Sequence, residues 1–337
     1  MIRVIRGCVG LIAACFVLMV QAQDFEKAKR AAEQGDAAAQ NSLGMMYSEG
    51  KGVTKDETEA VKWFRKAAEQ GYVRAQTHLG WMYREGLGVP QNYTEALKWY
   101  ALAAKQGYAK AQFNLGFLYE NGQGVAQDFA EAAKWYKQAA EQGNVAAQIN
   151  LGSLYENGWG VPQDYAEAIK LYSLPAMKGV VVAQYRLARM YLKGWGVTQD
   201  EAEAAKWYAL AAGLGYAPAQ NSLGLMYQFG RGVTQDDVEA VKWYAIAAKQ
   251  GYAGAQANLG WMYSACRGVE KQDDTEAVKW YRMAAEQGNA NGQYGLGWVH
   301  EKGYGVTQDE AEAVKWYTKA SEQGHEGAQT ALRKMGK

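Results

Sequence analysis

An Ala-Gln or Gly-Gln pair returns along the chain at Ala39, Ala75, Ala111, Ala147, Ala183, Ala219, Ala255, Gly292 and Ala328. Every step is 36 residues except one of 37, between Ala255 and Gly292. A fixed period of this size restricts the chain to a repeat architecture. One unit of that length cannot bury its own apolar face, so successive units must stack into a continuous core.

Within one copy, Ala39, Leu43, Met46 and Tyr47 fall at i, i+4, i+7 and i+8 and share one helical face. Gly50-Lys51-Gly52-Val53 follows, and glycine closes a helix because it tolerates the left-handed conformation. Asp56 then precedes Glu59 by three residues, which reads as a reciprocal cap, with the aspartate on backbone amides and the glutamate reaching back. A second helix carries Ala60, Trp63, Phe64, Ala67 and Ala68 on its apolar stripe and stops at Gly71. The cap recurs as Asn92/Glu95, Asp128/Glu131, Asp164/Glu167, Asp200/Glu203, Asp236/Glu239, Asp273/Glu276 and Asp309/Glu312. The sequence therefore predicts an all-α solenoid of eight helix pairs, over residues 36–71, 72–107, 108–143, 144–179, 180–215, 216–251, 252–288 and 289–324. A lone second-type helix near Phe25–Gly35 and a cap helix within 325–337 close the two ends.

The succession Leu-Gly-x-x-Tyr, Gly-x-Gly-Val, Asp-x-x-Glu-Ala-x-x-Trp-Tyr and Ala-Ala-Glu-Gln-Gly closely resembles the Sel1-like repeat family, relatives of tetratricopeptide repeats. The resemblance covers residues 23–337. It implies a right-handed superhelix whose concave face is lined by the first helix of each pair. It also implies a non-enzymatic adaptor, and bacterial members are often exported.

The N-terminus has the layout of a secretory signal. Arg3 and Arg6 precede an uncharged apolar run from Cys8 to Val20, and small side chains lead to a cleavage point after Ala22. The run is too short for a comfortable membrane span. The expected product is exported, to the periplasm or beyond the cell. Ile12-Ala13-Ala14-Cys15 offers an alternative, a lipoprotein anchored at Cys15. Residues 1–22 hold two of the 36 basic side chains and none of the 35 acidic ones, so the processed chain has a net charge near −1. Dispersed, balanced charge argues against nucleic acid and against a polybasic membrane surface. Only Cys266 remains after cleavage, so stability must come from packing between copies, in a chain expected to be monomeric.

Specificity can reside where the copies differ. The residue after Leu-Gly (Leu-Ala in copy five) reads Met45, Trp81, Phe117, Ser153, Arg189, Leu225, Trp261 and Trp298. The residue before the leucine reads Ser42, His78, Asn114, Asn150, Arg186, Ser222, Asn258 and Gly295, and one further back lie Phe113, Tyr185 and Tyr294. An aromatic at helical spacing is ordinarily core, yet the first slot also accepts Ser153 and Arg189, which a packed core does not tolerate without partners. Trp81, Phe113, Asn114, Phe117, Tyr185, Arg186, Arg189, Trp261, Tyr294 and Trp298 are thus the candidate protein-binding groove. Its arginines form a positive patch between two aromatic clusters, either an anchor for a carboxylate or phosphate or a solvated face.

Two irregularities stand out. Pro175 predicts a kink or a shortened second helix in copy four. Cys266 replaces a loop glycine in copy seven, where a half-buried, inert thiol is expected. No catalytic constellation is found. The three histidines, His78, His300 and His325, lack metal spacing, and the Gly-x-Gly pairs are helix stops rather than phosphate cradles. No cofactor, metal or nucleic acid is expected; the partner is a protein or peptide. The alternative is a peptidoglycan or glycan fragment stacked on Trp81, Phe117, Trp261 and Trp298.

Overall fold

The computed structural model describes residues 23–337, so the signal segment, its cleavage point and Cys15 lie outside the described residues. All regular structure among those residues is α-helical, in eighteen helices arranged in two compact units divided after Asp164. The first unit holds α1 (23–33), α2 (Ala37–Glu49), α3 (Glu57–Glu69), α4 (Val73–Glu85), α5 (Tyr93–Lys105), α6 (Ala109–Asn121), α7 (Phe129–Glu141) and α8 (Val145–Asn157). The second holds α9 (Tyr165–Met177), α10 (Val181–Lys193), α11 (Glu201–Gly213), α12 (Ala217–Phe229), α13 (Asp237–Lys249), α14 (Ala253–Ser264), α15 (Asp274–Glu286), α16 (Ala290–Lys302), α17 (Glu310–Glu322) and α18 (Glu326–Lys334). From α2 on, even-numbered helices open each copy and are called A helices; the odd-numbered B helices follow them. The chain is an all-α repeat solenoid.

Each A helix packs on its own B helix through a small residue, Ala188 in copy five and glycine in the others. At Gly80 a Cβ would lie 2.8 Å from the Tyr100 ring, so a side chain there would push the two helices apart. The B-helix tyrosines Tyr100, Tyr136, Tyr172, Tyr208, Tyr244 and Tyr317 are in consequence almost wholly buried. Their hydroxyls need partners, and one A-helix slot supplies several of them. Tyr136 donates to Glu120, Tyr244 to Gln228 Oε1 at 2.6 Å and Tyr317 to Glu301 Oε2 at 2.7 Å. Arg84 holds that slot opposite Tyr100, whose hydroxyl has no partner.

The invariant glutamine of the Ala-Gln pair joins the copies. Gln76 Nε2 donates to Ala68 O at the end of α3 (3.2 Å), and its Oε1 accepts from Gln106 Nε2 at the end of α5 (2.9 Å). Gln220 repeats this with Ala212 O (3.1 Å) and Gln250 (2.8 Å), and Gln256 with Ala248 O (3.1 Å) and Gln287 (2.7 Å). The side chain thus ties the ends of successive B helices while itself buried. In copies four and five the second donor is missing, because Lys178 and Leu214 stand where the other copies carry glutamine, and Gln148 Oε1 has no partner. Gln184 still reaches Ala176 O at 3.1 Å, but its buried Oε1 has no partner.

The loops between A and B helices dock on the preceding copy. At Gly88 a Cβ would sit 2.2 Å from Glu57 O, which excludes any side chain there. The residue before that second glycine meets the first residue of the preceding B helix. Trp159 packs on Phe129 with ring centroids 5.5 Å apart, and Trp195 stacks on Tyr165 at 5.3 Å. Arg231 forks Glu201 at 2.8 and 2.6 Å, and Arg267 forks Asp237 at 2.8 and 3.0 Å.

Three expectations are corrected. The cap aspartates do accept backbone N–H groups, as Asp56 does from Glu59 at 2.9 Å, but the glutamates do not reach back. Glu59 instead pairs with Lys62 one turn on, and Glu131 with Lys134 at 3.0 Å, because an ammonium group is the stronger partner for a carboxylate. Pro175 does not shorten its helix. α9 keeps 13 residues, since proline forfeits only its own N–H bond and Lys178 N–H still reaches Leu174 O at 3.1 Å. Cys266 is exposed rather than half-buried, and it sits at φ 51°, in the left-handed conformation that the other copies give to glycine.

Two substitutions test these readings by chemical denaturation. Leu214→Gln restores the missing donor to Gln184 and is expected to stabilise the protein by about 1 kcal/mol. Cys266→Gly removes a strained left-handed side chain and is expected to add about 1 kcal/mol. A loss of stability in either variant contradicts the corresponding account.

Candidate functional site

The variable slots of the A helices open into a cavity in each unit. In the first unit a space of about 630 Å³ lies along α2, α4 and α6 and is floored by Phe64 of α3. Trp81 forms one wall and remains 37% exposed. His78 lies on the Phe64 ring, with centroids 5.0 Å apart, and its Nδ1 is 2.8 Å from Asn41 Oδ1, a contact that places the proton on Nδ1. Burial lowers the His78 pKa to about 4, helped by the positive charges of Lys110 and Arg74, so the ring stays neutral. Glu49, Lys55, Glu57, Arg84 and Lys110 line the same space and make it mixed in charge.

The second unit has a cavity of about 520 Å³ along α14 and α16, closed by α15 and the start of α18. Trp261, Tyr281, Tyr294 and Trp298 are its aromatic surfaces, with Asn258, Ser264, Asn291 and His325 as polar groups. No Lys, Arg, Asp or Glu lines it. Tyr281 lies buried at the bottom, packed closely under Gly295, where a Cβ would stand 2.4 Å from the ring. Burial pushes the Tyr281 phenol up to about 12. Each wall is braced from behind. Arg267, held by Asp237, lies 5.5 Å from the Trp261 ring centre; Trp298 meets Tyr304 at 5.1 Å; and His325 stacks on Tyr294 at 4.5 Å.

Of the ten residues expected in a groove, the structure groups Trp81 with Asn114 in the first cavity and Trp261, Tyr294 and Trp298 in the second. Asn114 is buried, so it contributes floor rather than open surface. Phe113 packs against Tyr136 at 5.7 Å, and Tyr185 against Tyr208 at 5.7 Å and Tyr216 at 5.4 Å; both lie between helices. Phe117 is half-buried with the Arg84 guanidinium 5.6 Å from its ring centre. Arg186 lies over Tyr172 at 5.7 Å and Arg189 over Trp195 at 5.5 Å, so both face aromatic rings of their own unit. Tyr281 and His325 were not expected in a site. Tyr281 occupies a core slot and is buried, with Gly295 packed against its ring; His325 caps α18 by accepting Ala328 N–H at 3.1 Å.

The Sel1 repeat model matches residues 37–72, 73–108, 109–144, 145–180, 181–216, 217–252, 253–289 and 290–325. The chain belongs to the Sel1 repeat family. Proteins of this family generally act as non-catalytic scaffolds for protein–protein interaction. Among solved structures it is similar to a protective antigen of uropathogenic Escherichia coli strains that displays an SLR fold, at 43% identity and a TM-score of 0.81. That match covers 91% of this chain and 66% of the antigen, so the Sel1 chain described here spans only about two thirds of that protein's length. It is also similar to a Sel1 repeat protein of Oxalobacter formigenes, at 34% identity and a TM-score of 0.71, covering 94% of this chain and 93% of the other. No curated protein matches. No helix among the described residues is long and apolar enough to cross a membrane.

Leu115 and Phe117 separate core from surface on a single A helix. Leu115 is 2% exposed, and Leu115→Ala is expected to cost about 2–5 kcal/mol in denaturant unfolding. Phe117→Ala should cost clearly less, because its ring is half-buried. Equal losses would assign Phe117 to the core.

Proposed function

We propose that this Sel1 repeat protein is an exported scaffold that holds an extended protein segment along the face formed by its A helices. The observation that carries the proposal is the repetition of one arrangement in each unit: a cavity opened by the variable A-helix slots, with an exposed tryptophan, Trp81 or Trp261, on its wall. Tryptophan in a partly desolvated pocket is the side chain most often found to dominate protein interfaces, since it offers a large contact area at small entropic cost. Differences at the same slots would set which segment is accepted. The export reading rests on the signal-like layout of residues 1–22, and the similarity to a protective antigen of a pathogenic bacterium supports it.

The test uses peptides selected from a random display library on the intact protein. Trp81→Ala and Trp261→Ala are expected to weaken the selected peptides at least fivefold while the melting temperature moves by no more than a degree or two, because both side chains are largely at the surface. Peptides that bind both variants as tightly as the parent would place the binding face elsewhere.

A further inference from the structure

The second cavity differs from the first in chemistry, and the difference points to its occupant. Its lining contains aromatic rings and neutral polar groups but no charged side chain, whereas five charged residues line the first. Its ligand must therefore be uncharged where it is held, since a charge would be desolvated there without a counterion. Trp261 and Trp298 occupy the same slot on successive A helices, α14 and α16, which approach one another directly. Packed helices lie about 8–10 Å apart, which sets the scale on which equivalent positions of α14 and α16 repeat. A polyproline II segment has three residues per turn and rises about 3.1 Å per residue, so its residues i and i+3 present equivalent faces about 9 Å apart. A β-strand, by contrast, returns to the same face about every 7 Å.

The hydrogen-bonding groups agree. A polyproline II segment has no internal hydrogen bonds and presents carbonyl acceptors, and proline brings no N–H that needs a partner. The cavity has donors to offer. Neither the Trp261 nor the Trp298 indole N–H is used within the described chain, and His325, which accepts Ala328 N–H through Nδ1, carries its proton on Nε2. The rings are fixed in advance by Asp237–Arg267, Tyr304 and His325, so little ordering remains to be done on binding.

We infer that the cavity between α14 and α16 is a docking site for an uncharged, proline-rich segment in the polyproline II conformation, its residues i and i+3 seated on Trp261 and Trp298. This rests on the scaffold reading above and names the chemistry of the segment at one of its two cavities.

The test is a calorimetric titration of the intact protein with acetylated, amidated nonaproline. A Gly-Ser nonapeptide with the same blocked ends and an N-acetylglucosamine tetramer serve as comparisons. Nonaproline is expected to bind at least tenfold more tightly than either. Trp261→Ala and Trp298→Ala should each weaken it at least tenfold, Trp261→Phe should restore most of the loss, and Trp159→Ala, on a loop of the other unit, should change it less than twofold. Thermal melting of each variant identifies any that fails to fold; Trp261, 40% exposed, is the substitution best tolerated on that ground. The inference is overturned by nonaproline binding no tighter than Gly-Ser, by binding that survives loss of both indoles, or by tighter binding of the sugar, which would make this a glycan site. The library selection separates the two proposals. Peptides that depend on Trp261 but show no proline enrichment defeat this inference and leave the scaffold reading intact, whereas failure to select any peptide that depends on Trp81 or Trp261 defeats both.

Discussion

One glutamine per copy, buried in all but copy four, holds neighbouring copies in register. Its amide has two ends, and most copies use both: Nε2 adds a second donor to a terminal carbonyl of one B helix, and Oε1 receives the glutamine that ends the next. A helix terminus exposes carbonyls that must find donors. Here the carbonyl receives a backbone N–H from its own turn and a second donor from a side chain of the neighbouring copy, so the end of each helix is tied to the copy that follows. The same amide cannot be left half-satisfied without cost, which is why Gln184, facing Leu214, marks a weak joint in the second unit.

Around this frame the packing is repetitive by necessity. Glycine on the A helix admits the B-helix tyrosine, and the tyrosine hydroxyl then needs Glu120, Gln228 or Glu301 one turn further along the A helix. What is left for variation is the slot after that glycine, outside the seam. The two cavities lie there, and they differ through a few substitutions: the His78 ring lies on Phe64 in one, while the Gly295 backbone lies on Tyr281 in the other.

The sequence made the fold legible because period, glycine stops and cap aspartates all point to the same eight pairs. It made the glutamine legible only as a marker. Its partners lie eight residues back and thirty ahead, and no local pattern reveals that a polar side chain at this position is buried. The candidate site was legible in part. Trp81, Trp261, Tyr294 and Trp298 stood out because their slots vary. Phe113 and Tyr185 vary too, yet they pack against B-helix tyrosines, since the position one further back turns toward the helix seam. Arg186 and Arg189 read as a charged patch, and single-sequence reasoning could not supply the rings of Tyr172 and Trp195 beneath them. Cys266 and Pro175 show the same limit at the backbone: the residue names a constraint, and the surrounding hydrogen bonds decide how it is met.

The contacts between loops and preceding B helices bear on how such a chain avoids its own near-copies. Any A/B pair could in principle stack on any other, because the seam is almost the same throughout. The loop residues are not interchangeable. Arg231 and Arg267 suit a preceding Glu201 or Asp237, while Trp159 and Trp195 suit Phe129 or Tyr165. Out-of-order stacking would set a guanidinium against a ring or an indole against a carboxylate. These four junctions therefore fall into two classes, aromatic and ionic, and a copy that stacked out of order across the two would meet a mismatched lock.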